Sequence, residues 1–340
     1  MELMYSTIVL QGVVNSLVLP QSYFYNEYFR IEQLSTSELI SFDVESSARR
    51  MAPFVSPLSQ GKVVRSKGRK TETLAPAYIK DKRPFDPTRP LKRAIGEQIG
   101  GNLAPMDRVA MNLKYELTDQ IEMLTRRLEW MSVQALVNGK VTIVGEEYPA
   151  VQVDFGRDPN NTIVKDPSAL WSNPLVNPLD DLANWTLQVL KGSGAQAKRV
   201  YMRSDAYKVF RDNPFVQKRW NTLNRNQATL NMLAPTEIGA SYIGDIDGFS
   251  IYVYEDWVVD PVDGVEKPMM PNGGVLLISD RVDGVRAFGA IRDEEAGYQA
   301  MPFFPKSWVE KDPSVRYLLM QSAPLPYPSR PNASLFAKVL

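Results

Sequence analysis

Carboxylates are the groups through which this chain could do chemistry, because its 340 residues include neither cysteine nor histidine. That absence removes thiol nucleophiles, Ser-His-Asp triads, zinc sites built from Cys or His, and disulfide staples. Two pairs at a spacing of four, Asp154 with Asp158 and Asp256 with Asp260, could in principle act as acid and base. Nothing beside either pair supports that reading. The run Asp293-Glu294-Glu295 offers hard oxygen ligands for a divalent cation. Three consecutive residues point in different directions on any regular element, so a solvated turn is the competing reading. No Gly-x4-Gly-Lys-Ser/Thr loop, no Gly-x-Gly-x-x-Gly after a strand and no Gly-x-Ser-x-Gly elbow is present. No cofactor is expected, and the residues alone describe a multi-unit α+β protein without a recognisable active site.

Charge is distributed more informatively than its total. The chain carries 39 basic and 39 acidic residues, a balance that speaks against wrapping nucleic acid. Between Lys62 and Arg93, however, eleven basic residues, Lys62, Arg65, Lys67, Arg69 and Lys70 among them, meet only three acidic ones. Between Ala240 and Glu266 seven acidic residues, including Glu255, Asp256 and Asp260, meet no Lys or Arg. Such a split suggests two surfaces made for each other, within one subunit or between copies. Two independently solvated faces would give the same pattern. Exposed pairs contribute little, so a contact of this kind is guided by charge and held by burial. The basic stretch could also touch nucleic acid with Tyr78 and Phe85 as stacking rings, but it lacks the aromatic interleaving of a single-strand platform.

The elements that would position these charges can be read in order. Tyr23, Phe24, Tyr25, Tyr28 and Phe29 form an aromatic cluster in an arm-like first segment, serving either a local core or another subunit. From Ser41 to Arg93 the texture is a long β-ribbon. Strands are expected near Phe42–Glu45, at Val63-Val64 and over Leu74–Ile79, with a hairpin tip at Ser66–Lys70 where Gly68 can take positive φ. Pro76, Pro84, Pro87 and Pro90 punctuate an extended descent. An isolated ribbon is marginal in water and must lie on something else. Pro105 to Asn138 predicts a long helix stopped at Asn138-Gly139, with Val109, Leu113, Leu117, Ile121, Leu124, Leu128, Met131 and Ala135 as one apolar stripe. A coiled-coil segment is the alternative. Lys140 to Gly156 reads as strand, and the polar loop from Arg157 to Pro178 as a boundary. A compact α/β module follows. It has a helix over Leu179–Lys191, a strand over Arg199–Arg203, a helix N-capped by Ser204, and strands at Phe249–Val259 and Val275–Ile278. Val285–Ile291 and Tyr317–Gln321 are the last strand-like pieces.

The length suggests two or three packed units. The apolar stretch Ile8–Leu19 is broken by Gln11, Asn15 and Ser16, is too short to span a bilayer and has no Lys or Arg before it. A soluble, cytoplasmically made protein without a membrane partner is the expectation.

Several ordered strings resemble the major capsid proteins of lambda-type tailed phages, the capsid protein E family. They are Pro53-Phe54-Val55-Ser56-Pro57, the run Gly61 to Gly68 and Ala75-Pro76-Ala77-Tyr78-Ile79-Lys80. They continue at Val151 to Arg157, Asn160-Asn161-Thr162-Ile163, Phe304 to Val309, Asp312-Pro313 and Met320 to Leu325. The ordered set covers most of the chain, and it matches least over the first forty residues and the acidic stretch from Ala240. The resemblance implies an α+β fold of the Hong Kong 97 capsid type. Its parts would be an N-terminal arm over 1–40, an extended β-hairpin loop over 41–94, a peripheral domain over 95–170 with a spine helix at about 105–138, an axial domain over 171–290, and a return to the peripheral domain over 291–340. It further implies a non-enzymatic shell subunit forming hexamers and pentamers of an icosahedral head. That head is assembled in the host cytoplasm around double-stranded DNA, which meets the inner face without sequence specificity. Scaffold, portal and decoration proteins are the implied partners. Lys62, Arg65, Lys67, Arg69 and Lys70 would then dock on acidic surface of an adjacent copy, with Glu255, Asp256 and Asp260 as the suspected counterpart. An encapsulin-like compartment is the alternative, and a carboxylate-dependent metal hydrolase a more distant one.

Overall fold

Ser6 opens the first helix by accepting a hydrogen bond from the Val9 amide at 3.4 Å, and α1 then runs Thr7–Ser16. A short α2 (Tyr23–Tyr28) leads directly into β1 (Phe29–Leu34). The computed structural model describes residues 5–17, 22–37, 39–45, 51–52, 54–57, 60, 63, 69–74, 76–85, 103–145, 148–224, 239–261, 263–312 and 314–340. Two ribbon strands, β2 (Ile40–Glu45) and β3 (Arg69–Leu74), pair antiparallel from Ile40 opposite Leu74 to Glu45 opposite Arg69. Arg69 and Lys70 therefore lie in a strand and not at a hairpin tip; Val64, Ser66, Lys67 and Gly68 lie outside the described residues. The partner of β3 stands more than twenty residues upstream, a separation that local turn chemistry at Gly68 does not encode. Leu74–Ile79 is not one strand: Leu74 ends β3 and Ile79 opens β4 (Ile79–Phe85). Pro76, which has no N–H to donate, sits between them.

The longest element is α3 (Pro105–Asn138), 34 residues or about 50 Å at ~1.5 Å each. Pro105 sits in its first turn with Asp107, and Gly139 ends it at φ 66 in the left-handed region. All eight expected stripe residues are buried. The N-terminal half packs on Tyr5, Leu10 and Val14 and on Phe85, and the C-terminal half on Phe24, Tyr28, Val141 and Val153. One helix thus walls two cores of a single chain, and no coiled-coil partner is needed to bury it. The hairpin β5 (Lys140–Gly145) and β6 (Tyr148–Asp154) continues from its end.

The next unit is built from β7 (Thr162–Val164), α4 (Pro178–Ser193), β8 (Arg199–Met202), α5 (Ser204–Asp212), α6 (Pro214–Asn224), β9 (Ala240–Ile246) and β10 (Phe249–Tyr254). Then come β11 (Trp257–Val259), β12 (Glu266–Pro268), β13 (Gly274–Ile278) and β14 (Gly284–Phe288). The chain closes with β15 (Phe304–Lys311), β16 (Ser314–Ser322), β17 (Pro324–Pro328) and β18 (Ser334–Lys338). Ser204 is the first helical residue of α5 and not its N-cap, a position taken by Arg203; its hydroxyl is engaged by Glu255.

A six-stranded sheet of order β7-β18-β13-β8-β10-β9 organises this unit, parallel at β7/β18 and β8/β10 and antiparallel elsewhere. Its period of two divides side chains between two cores. Tyr201, Tyr254, Leu276, Ile278 and Phe336 face the α3 side, and Val200, Met202, Ile251, Val275, Leu277 and Leu335 face α4 and α5. Two further sheets tie the chain's ends together: β15-β16-β4, antiparallel, and β1-β14-β17, in which β1 runs parallel to β14. Among the described residues no helix is long and apolar enough to cross a membrane.

Candidate assembly surface

Lys62, Arg65 and Lys67 lie outside the described residues, and Arg69 and Lys70 are placed by backbone alone in β3. Around them the ribbon carries large apolar side chains in water: Met51 is 88%, Phe54 101% and Val63 95% exposed. No alternation in the sequence marks these three. Their exposure is what the sequence reading of the ribbon missed.

The acidic stretch is placed in full. Glu255 and Asp256 follow β10, and Asp260 follows β11, at the start of the turn that carries the chain into β12. Each has a partner within its own chain. Arg203 reaches Glu255 at 3.6 Å, Arg126 on α3 reaches Asp256 at 3.8 Å, and Lys267 reaches Asp260 at 2.7 Å. Lys267 also holds Asp263 at 2.6 Å, and Arg219 holds Asp247 at 2.6 Å. Part of the apparent charge split is therefore neutralised inside the subunit. Lys267 falls one residue beyond the acidic window, and Arg126, Arg203 and Arg219 come from distant helices or their caps. The side chains of Glu255, Asp256 and Asp260 keep 32, 32 and 30% of their surface exposed, so they can still receive further cations. Burial raises the Asp256 carboxyl above its usual range against the Trp257 amide and Arg126, which lower it. The same hairpin exposes Trp257, Val259 and Val265 beside its carboxylates.

The remaining carboxylate candidates are turn and loop partners. Asp154 accepts from the Gly156 amide at 2.8 Å and Asp158 from the Asn160 amide at 2.9 Å, which is capping geometry and not an acid–base pair. Asp293 accepts from Lys306 at 3.0 Å, Gln321 at 3.1 Å and the Glu295 amide at 3.0 Å. Burial would raise its pKa, but these donors outweigh burial and lower it. Among the described residues no group of three or more such side chains is placed to hold a metal ion. The aromatic cluster serves the chain's own core. Phe24 lies 4.9 Å from Tyr201 and 4.6 Å from Tyr254 between ring centres, and the Tyr23 and Tyr28 hydroxyls meet that of Tyr201 at 3.0 and 2.8 Å.

This arrangement has counterparts among known proteins. The family Phage major capsid protein E matches residues 6–339. The chain is similar to the major capsid protein of Escherichia phage lambda, 28% identical over 307 residues that cover 88% of each. In structure it is similar to a prophage capsid protein of E. coli CFT073, with a TM-score of 0.74 at 22% identity over 98% of this chain and 99% of that one. It is also similar to the capsid of Ralstonia phage GP4, with a TM-score of 0.51 at 11% identity over 95% and 92%. The two structural likenesses show the fold, a mixed α+β capsid fold of the Hong Kong 97 type. With nearly every residue inside the matched span, the chain belongs to the phage major capsid protein E family, the structural subunits of tailed-phage head shells.

Proposed function

We propose that this head-shell subunit joins its neighbours through the ribbon. Lys62, Arg65, Lys67, Arg69 and Lys70 of one copy settle on the acidic hairpin around Glu255, Asp256 and Asp260 of the next. The chain is a major capsid protein and a structural component of the virion, so self-assembly into a shell is its function. The observation that supports the ribbon as the joint is Phe54, whose ring is fully exposed although it belongs to a residue type that normally enters a core. Covering Met51, Phe54 and Val63 would contribute about 1.5–3 kcal/mol each, more than exposed ion pairs supply. Trp257, Val259 and Val265 give the acidic hairpin a matching apolar component. Charge sets the approach and burial holds the contact.

Repeated around closed rings, this joint builds hexamers and pentamers of an icosahedral head. A rounded precursor then expands into a container for double-stranded DNA, assisted by scaffold, portal and decoration proteins. The working division of the chain is arm 1–40, extended loop 41–94, peripheral domain 95–170, axial domain 171–290 and peripheral return 291–340. Support for it comes from the spine helix lying in one part and most of the six-stranded sheet in another. The test is the double variant Lys67→Glu/Arg69→Glu, followed by circular dichroism and negative-stain electron microscopy. A folded subunit that forms no shells is the expected outcome; normal shells would sink the ribbon joint.

A further inference from the structure

Glu129 is a carboxylate on the buried face of α3, beside its apolar stripe; it is 2% exposed. Its hydrogen bonds come from two other elements. The Phe24 amide donates to Oε1 at 2.9 Å and the Tyr25 amide to Oε2 at 2.8 Å, both at the start of α2. The Tyr254 hydroxyl, at the end of β10, donates to Oε1 at 3.2 Å and also contacts the Met269 sulfur. Glu129 is therefore the buried polar tie between the N-terminal strap, made of α1, α2 and β1, and the spine helix.

The charged surroundings do not neutralise it. From α2 it faces the Phe24 and Tyr25 backbone amides, and from β10 the Tyr254 phenol. Asp256, just beyond β10, repels it. On its own helix, Arg126 is directed to Asp256 and to the Trp257 carbonyl at 3.0 Å, and Arg127 lies over Trp130. Burial pushes the Glu129 carboxyl up to about 7, against the two amides and the phenol that pull it down.

We propose that Glu129 is a proton-linked latch: closing the strap on the spine takes up a proton, so the strap is held more tightly in mild acid than in mild base. When the strap opens, water reaches the carboxyl and its pKa falls back toward 4.5. The closed-state pKa is the higher one. The contribution is therefore fully present below the open-state value and lost as pH rises through the closed-state value, a window from 4.5 to about 7. The chain has no histidine, so no side chain with an ordinary pKa competes across the upper part of this window.

Hydrogen exchange on the full chain, unassembled and in shells, tests the latch once rates are corrected for intrinsic chemistry. The opening constant of residues 23–34 should rise on the order of a hundredfold between about pH 5 and about pH 8. Glu129→Gln should flatten that profile. Tyr254→Phe, which removes a donor that favours the anion, should move its midpoint upward in pH and serves if the Gln variant does not fold. A flat profile in the unmodified chain, a profile that survives Glu129→Gln, or a midpoint unmoved by Tyr254→Phe would each overturn the proposal.

Discussion

The last turn of α3 is closed by a side chain from outside the helix. Arg157 donates to the Leu136 carbonyl at 2.5 Å, the Val137 carbonyl at 2.6 Å and the Thr162 hydroxyl at 2.5 Å. These carbonyls have no partner within a helix, and burying them bare would be costly. Burial pushes the guanidinium down to about 10, with Asp154 opposing, and it remains protonated at neutral pH. Gly139 makes room: a Cβ there would stand 2.7 Å from that of Arg157, on a backbone already at φ 66. Arg157→Met keeps most of the volume but leaves the Val137 carbonyl unpaired and the Leu136 carbonyl with the Ser334 hydroxyl at 3.4 Å. It should lower stability by roughly 2 kcal/mol, read as a shift of the urea midpoint. The sequence marked Gly139 as a helix stop. It did not mark Arg157 as the group that completes the stop, because a capping contact across eighteen positions leaves no local pattern.

At the scale of elements, legibility followed periodicity. Helix α3 was readable to its ends because eight apolar residues repeat at steps of three and four between a first-turn proline and a terminal glycine. Leu117 sits in the core shared by α1, β4 and β16, and Leu117→Ala should cost about 3 kcal/mol by thermal or chemical melting, with shells correspondingly less stable. Strands β1, β4, β7, β9, β12, β15, β17 and β18 were not read. For β17 the reason is specific: Pro324, Pro326 and Pro328 argue against a strand by composition. They alternate, however, so their missing donors fall on one side of a sheet edge, and β14 pairs with the strand along the other. The three-residue β7 is hidden in a loop rich in Asn, Pro and Asp, and its pairing with β18 is parallel and long-range. Of the candidate surface, the acidic residues were legible as a charge run, and the cations that partly neutralise them were not.

For the whole molecule, the first segment is more than an appendage. Tyr5, Leu10 and Val14 enter one core, Phe24, Tyr25, Tyr28 and Phe29 another, and β1 completes a sheet with β14. At ~1.5–3 kcal/mol for each large buried side chain, this contribution is comparable to the whole ~5–15 kcal/mol stability of a typical domain. Removing residues 1–34 should therefore give an unfolded or aggregated chain by circular dichroism and size exclusion. A folded subunit that merely fails to assemble is the outcome this accounting excludes. What the sequence by itself determined was local and compositional. It specified the long helix, the order of strand-like and helical segments, the absence of thiol and imidazole chemistry, the basic ribbon and the acidic stretch. The tertiary structure alone decided where the aromatic cluster is buried, which distant arginines meet the acidic residues, and how Phe29 comes to pair with Gly284. Helical and strand periods are written over neighbouring residues by short-range sterics. A parallel pairing across more than 250 residues is chosen only when complementary faces meet in the folded core.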